Sequence, residues 1–174
     1  MTSVSIRHAT PADVAAITRI YGDAVRHGTA SFEVEPPDET EMARRQKALL
    51  DGNFPYLAAE IEGAVVGYAY AGLYRTRPAY RFTLEDSIYI DPAIQGRGVG
   101  RALIERLIIE SETRGFRQMI AVIGDSAQVA SIALHRTAGF HYVGNIQNVG
   151  YKFGRWLDSV IMQRPLGPGA LTKP

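Results

Sequence analysis

The sequence predicts an α/β fold: one mixed, twisted sheet of about seven strands with about four helices on both faces. Three observations carry this. Stretches with two-residue and 3.6-residue apolar periods follow one another in the order βααβββαβαββ. Helices separate some strands but not the middle three, the pattern of a mixed sheet. The length, 174 residues, supplies one core and is too short for two comfortable ones. A single domain is expected over 1–164, with 165–174 as a flexible tail.

Each element has its own signal. "SVSIRHA" alternates as a short strand. "ATPADVAAITRIYGDAV" opens a helix with Thr10 as cap, Pro11 at its first position and Asp13 completing a capping-box-like pair. Val14, Ile17, Ile20, Tyr21 and Val25 form its apolar stripe. "SFEVEPPDETE" is a loop with two prolines, and "ETEMARRQKALLDG" a second helix stopped by Gly52. "PYLAAEI" and "AVVGYAYAGLY" are strands around a turn at Glu62-Gly63. After "TRPAYR", "FTLEDSIYID" is a strand ended by Pro92, which cannot donate to a ladder. Gly98–Arg114 is the clearest helix, with Val99, Leu103, Leu107 and Ile108 on one face and charges on the other. "QMIAVIG" is a buried strand, and "SAQVASIALHRTAGF" a helix ended by Gly139. "HYVGNIQNVG" and "FGRWLDSVIMQRPL" are the last two strands.

Composition narrows the function. Nineteen basic side chains against eighteen acidic ones leave a net charge of +1, with no basic excess for wrapping nucleic acid or coating an anionic membrane. The absence of cysteine excludes disulfides, thiol nucleophiles and thiolate metal sites. His8, His27 and His141 show no metal-ligand spacing, so no metal is expected. "MTSVSIRHATPAD" lacks a secretory pattern, and no apolar run approaches the roughly 18 residues of a membrane span; a cytoplasmic location is expected.

"QGRGVG", residues 95–100, stands between a strand and a helix. Free N–H groups at a helix start attract anions, and glycines let the backbone approach them. A flexible connector is the alternative. Two nucleotide motifs fail. Counted from Gly96, the last glycine of a dinucleotide fingerprint falls on Arg101, and "GVGRAL" lacks the lysine and hydroxyl of a P-loop.

"SIYIDPAIQGRGVGRALIERLI" resembles the signature of the GNAT superfamily of N-acetyltransferases, whose Gln/Arg-x-x-Gly-x-Gly/Ala loop is filled by Gln95, Gly98 and Gly100. The resemblance implies a mostly antiparallel sheet and acetyl-CoA as cosubstrate. Its pyrophosphate would lie on Gln95, Gly96, Arg97, Gly98, Val99, Gly100 and Arg101, and its pantetheine along Ile88, Tyr89 and Ile90, with Gln128 and Ser131 adding contacts. "SFE", "YRTRPAYRFTLEDSIYI", "ASIALH", "AGF" and "VGYKFGRWLD" resemble the phosphinothricin (methionine sulfoximine) acetyltransferase branch. That implies direct acetylation of the α-amino group of a small amino-acid analogue: phosphinothricin, methionine sulfoximine or methionine sulfone. It implies acceptor binding by Arg75, Thr76, Arg77, Glu85, Asp86 and Ser87, and a homodimer in which "KFGRW" reaches the partner's substrate region. Two positions depart from the pattern. His135 stands where many superfamily members carry a proton-donating tyrosine, and Gln128 where the branch often has asparagine.

Acetyl transfer to an amine needs a base for the ammonium, a polarised thioester carbonyl and a proton for the thiolate. Glu85 is the candidate base, sharing a strand face with Thr83, Ser87 and Tyr89, while Asp86 points the other way; a solvated strand carboxylate is the alternative. A backbone N–H between Ile88 and Ile90 is the candidate carbonyl partner. His135 titrates in a range suited to the donor, or is a hydrogen-bonded helix histidine. Arg75 and Arg77 suit a carboxylate or phosphinate, or are solvated loop charges. Phe32, Tyr74, Tyr80 and Trp156 are candidate pocket walls or core. Transfer to another amine (peptide, polyamine or antibiotic) and a non-catalytic acetyl-CoA-binding sensor are the competing functions.

Overall fold

A computed structural model describes residues 4–174. The elements are β1 (Ser5–His8), α1 (Val14–His27), α2 (Glu39–Asp51), β2 (Tyr56–Ile61), β3 (Ala64–Leu73), β4 (Thr83–Ile90), α3 (Val99–Thr113), β5 (Gln118–Gly124), α4 (Val129–Thr137), β6 (His141–Lys152) and β7 (Arg155–Pro165). This is the expected order of elements. Ser3, where the first strand was expected to begin, lies outside the described residues. Three short 3₁₀ turns, at Pro11–Asp13, Pro78–Tyr80 and Pro92–Ile94, were not anticipated. Each begins with proline, whose fixed φ suits a first helical position and whose missing N–H costs nothing there.

The seven strands form one sheet in the order β1-β2-β3-β4-β5-β7-β6. Only β4 and β5 run parallel, and α3 carries the chain between them. The other five pairings are antiparallel. Each face has its own core. On one, Val99, Leu103, Leu107 and Ile108 of α3 bury against Leu57, Leu84, Met119 and Met162 of the sheet. On the other, all five stripe residues of α1 are buried against Tyr56, Ala58 and Tyr68. Each large apolar side chain so buried contributes on the order of 1.5–3 kcal/mol. Tyr56 stacks on Tyr70 at 5.1 Å, and Tyr68 on Tyr89 at 5.4 Å, giving the second face an aromatic floor.

The parallel ladder is short. It pairs Thr83–Asp86 with Gln118–Ala121 and then stops. Beyond that point β4 continues to Ile90 on β3, and β5 continues to Gly124 on β7. The sheet therefore opens between two strands that are each held on their outer side.

The segment expected to be a flexible tail starts on β7 and then buries Leu166. Arg117 donates to the carbonyls of Gly169 (3.2 Å) and Lys173 (2.8 Å) and to the hydroxyl of Thr172 (3.0 Å).

At the other end of the chain, the Thr10 N–H donates to Asp13 Oδ2 at 2.7 Å. Arg7 donates to both oxygens of the same carboxylate at 2.8 Å each and to Glu60 at 2.9 Å. One arginine thus joins β1, the start of α1 and β2. Its hydrogen bonds hold the Asp13 carboxyl below its ordinary value. We expect Asp13→Ala to lower stability by about 1–2 kcal/mol in urea unfolding, the scale of a lost cap. A depressed carboxyl pKa stabilises the fold above its unfolded value and loses that effect as pH falls through the folded value. The gap between variant and wild type should therefore narrow below about pH 4.

Candidate functional site

The opening between β4 and β5 holds a cavity of about 60 Å³. Asp86, Ser87, Ile88 and Tyr89 line it from β4, and Ala121, Val122, Ile123 and Gly124 from β5. Gln128, Ser131 and His135 line it from the α4 side. Strand residues alternate the direction of their N–H and C=O groups, so alternate residues along Ser87–Ile90 face the gap with no β5 partner. That edge offers a ladder to any extended chain with amide groups.

The glycine loop lies at the end of β4. Gly96 and Gly98 have φ of 77° and 82°, the left-handed region that glycine occupies without strain. Apart from the glycine itself and its chain neighbours, no heavy atom among the described residues lies within 4 Å of the point where a Cβ would stand on either. Gly98 caps α3, whose first N–H groups have no intrahelical acceptor. Gln95, Gly96, Arg97 and Gly98 are exposed, whereas Val99 and Gly100 are buried. Gly100 serves packing: a Cβ there would come within 2.9 Å of Ile90 Cδ1 and 3.2 Å of Leu134 Cδ2. Its small size lets α3 approach β4 and α4. Arg101 pairs with Glu105 along the helix at 2.7 Å, and Arg97 has no ion-pair partner among the described residues.

Adjacent carboxylates on β4 face opposite sides. Glu85 lies among the polar groups of the α1–α2 face, the face of Ser87 and Tyr70. Burial raises its carboxyl pKa, the Asp86 charge raises it further, and Arg75 opposes both. Asp86, expected among the acceptor-binding residues, faces α4, where its side chain is 2% exposed. His135 Nε2 lies 2.9 Å from its Oδ2, and Nδ1 lies 2.8 Å from the Ser131 carbonyl oxygen. A carbonyl only accepts, so Nδ1 carries a hydrogen. Burial alone would lower the imidazole pKa, but the charge and hydrogen bond of Asp86 outweigh it, and the net direction is upward. The protonated ring then donates from both nitrogens. Asp86 Oδ1 is buried without a partner.

Arg75, Thr76, Arg77 and Tyr80 surround a second depression of about 310 Å³. Arg75 lies 4.7 Å over the Tyr74 ring, which meets Tyr80 edge-on at 5.9 Å. Neither arginine has a carboxylate within 4.0 Å among the described residues. Gln128 lines the β4–β5 cavity, but its amide nitrogen donates to Thr29 Oγ1 at 3.0 Å. Phe32 packs over Gly124 and Gly150, while Trp156 is 61% exposed on the β6–β7 hairpin. "KFGRW" divides: Lys152 turns inward to its own chain, and Phe153 and Trp156 turn out. Among the described residues no group of three or more His, Cys, Asp or Glu could hold a metal ion, and no helix is long and apolar enough to cross a membrane. Sequence reasoning missed the Asp86–His135 pair. Its signal was present: Asp86 shares strand parity with buried Leu84 and with Ile88, so it had to meet whatever helix covers that face.

Comparison with known proteins gives consistent results. The profile of the Acetyltransferase (GNAT) family matches residues 16–140. The phosphinothricin N-acetyltransferase of Alcaligenes faecalis is 55% identical, over 93% of this chain and 82% of its own length. The L-methionine sulfoximine/L-methionine sulfone acetyltransferase of Salmonella typhimurium is 42% identical, over 94% and 95% respectively. The crystal structure of a GNAT superfamily phosphinothricin acetyltransferase from Sinorhizobium meliloti, in complex with AcCoA, superposes with a TM-score of 0.96. It is 50% identical, covering 100% of this chain and 94% of that one.

The buried pair makes a prediction. Asp86→Asn keeps the shape but removes the charge, leaving burial to dominate. We expect the His135 pKa, read by NMR titration of the ring, to fall from above to below its ordinary value of about 6.5. A raised imidazole pKa stabilises the fold fully below the unfolded value and loses that effect as pH rises through the folded one. The variant should lack this acid-side stabilisation.

Proposed function

Because the chain belongs to the GNAT family of acetyltransferases, we propose that it transfers the acetyl group of acetyl-CoA to the α-amino group of a small amino-acid analogue. Phosphinothricin, methionine sulfoximine and methionine sulfone are the acceptors we assign. The observation that carries the reading is the gap in the sheet, with an unpaired β4 edge that leads in the chain to a glycine-capped helix. Acetyl-CoA fits these residues: its amide-bearing arm matches the free edge of Ser87–Ile90, and its pyrophosphate matches the open backbone of Gly96–Gly98 and the N–H groups of Val99–Arg101. It supplies an acetyl thioester, in which the bond to sulfur breaks as the bond to nitrogen forms.

The chain's own residues do the rest. Glu85 takes the proton of the acceptor ammonium, directly or through one water; its raised pKa brings it nearer that of the amine it must deprotonate. An N–H of the Ile88–Ile90 edge polarises the carbonyl. His135 supplies the proton for the departing thiolate. Its Nε2–H is shared with Asp86, so that hydrogen bond opens during the transfer. Arg75 and Arg77 hold the acidic group of the acceptor, and the Arg75 charge also acts on Glu85. An acid group at Arg75 and an amine at Glu85 are the two ends of one amino acid, which favours this acceptor class over a polyamine.

We also propose a homodimer. β6 is an edge strand of twelve residues. Tyr142, Val143, Ile146, Val149, Tyr151 and Trp156 are all at least half exposed along it and its neighbour β7. A long apolar edge of this kind suits a second copy. Acetyl-CoA is an intracellular metabolite, which supports a cytoplasmic location as part of the same proposal.

Thiol release from acetyl-CoA with a panel of amines tests the function. Turnover should favour phosphinothricin and methionine sulfone; equal turnover of spermidine and a peptide N-terminus would overturn the acceptor assignment. Glu85→Gln should lower kcat by about 10²–10⁴ at neutral pH, with a smaller deficit at high pH where free amine is abundant. Arg75→Ala should raise KM for acidic acceptors more than for a simple amine. It should also shift the acid limb of the rate profile upward, since the charge that lowers the Glu85 pKa is gone.

A further inference from the structure

The loop between α1 and α2, residues 28–38, walls the β4–β5 cavity through Ala30. It is held by a residue more than a hundred positions away. Lys152, the last residue of β6, sends its Nζ to the carbonyl oxygens of Gly28 and Ser31, at 2.8 Å each. Its side chain is buried, and no carboxylate lies within 4.0 Å of its ammonium among the described residues. Burial pulls the ammonium pKa below its ordinary value, with the Glu33 charge opposing. A buried cation without a counter-ion is unfavourable for the fold as a whole. What it gains here is directional: two bonds to the backbone of one loop, with the Phe153 ring 5.0 Å from Nζ on the hairpin side.

Other ties act on the same loop. Gln128, at the head of α4, donates to Thr29 Oγ1. The Phe32 ring occupies the space where a Cβ on Gly124 or Gly150 would stand. Farther along, Tyr21 donates to Glu33 at 2.9 Å, and Arg45 donates to the same oxygen at 2.6 Å. The loop is thus pinned from α1 and α2 at one end, and from β6 and α4 at the other. It lies over the α1–α2 face, the face of Glu85. The apolar stripe of α3 belongs to the opposite face.

We infer that Lys152 is a positioning residue for the acceptor: it fixes the α1–α2 loop as the wall of the cleft on the side where the acceptor meets the acetyl group, and makes no hydrogen bond itself to the β4 edge or the glycine loop assigned to the donor. This rests on the acetyltransferase reading for its kinetic consequence, but not for its structural one. The test uses Lys152→Met and Lys152→Arg in the full chain, with hydrogen–deuterium exchange and steady-state kinetics. In Lys152→Met the amides of residues 28–38 should exchange about tenfold faster while β2–β5 keep wild-type protection. Acceptor KM should rise about tenfold, as for a lost charge-assisted hydrogen bond, with acetyl-CoA KM and kcat within about twofold. Lys152→Arg should recover part of both effects. If the methionine variant does not fold, Lys152→Arg and Phe32→Ala should show the same pattern in smaller degree. Unchanged exchange over 28–38 would overturn the inference, as would an equal rise in both KM values. Should wild type acetylate no amine, the proposed function fails, and exchange alone then decides whether Lys152 holds the loop.

Discussion

The divergence of β4 from β5 after the Asp86–Ala121 pair organises the rest of the molecule. Opening a sheet exposes backbone donors and acceptors that would otherwise pair, and such groups are expensive when left dry. The gap persists because each strand is satisfied on its other side. β4 stays on β3 through Ile90, and β5 stays on β7 through Gly124. α3 packs its apolar stripe under β2, β3 and β4, and α4 covers β5. The cleft is a rigid consequence of two complete antiparallel ladders meeting at one short parallel one. Its unpaired edge is already formed in the structure.

The same strand explains how two carboxylates one residue apart carry different chemistry. A pleated strand sends Glu85 to one face and Asp86 to the other. Glu85 is half-buried with an arginine nearby, and burial raises its pKa against that cation. Asp86 meets a buried imidazole and becomes half of an ion pair. Neither is isolated, because the charge on Asp86 is felt by Glu85 through the thin sheet. Protonation on one face therefore alters the basicity available on the other. A change in α4 that disturbs His135 would be transmitted to the acceptor side without any shift of backbone.

Much of this was legible in the sequence. The element order follows from periodicity and caps, because each amphipathic stripe has only one face to bury: Ile17 and Leu103 could not have pointed elsewhere. The glycine loop was legible because left-handed backbone at Gly96 and Gly98 leaves few other residue choices. The packing role of Gly100 was hidden, since a glycine that serves packing and one that faces a ligand look alike until the neighbours Ile90 and Leu134 are known. The contacts of Lys152 were hidden for a different reason. "KFGRW" is a charged, aromatic surface motif by composition, and only the register of β6 against β7 turns one member inward. Long-range side-chain to backbone bonds leave no periodic trace. The acceptor itself was read from resemblance, since no spacing of residues encodes it.

The chain contains one tryptophan, and the fold places it on the outer hairpin, 5.2 Å from Tyr151 and on different strands from the stacked tyrosines of the core. Spectroscopy of this protein will therefore separate into two signals. Indole emission reports whether the hairpin is wetted or covered, and stays nearly blind to the packing of α1 on the sheet. Near-ultraviolet dichroism will be dominated by the phenol rings of Tyr56, Tyr68, Tyr70 and Tyr89, whose fixed stacking makes them a coupled chromophore on the Glu85 face. An unfolding curve followed by fluorescence and one followed by dichroism need not coincide, and the interval between them measures how far the hairpin surface separates from its core.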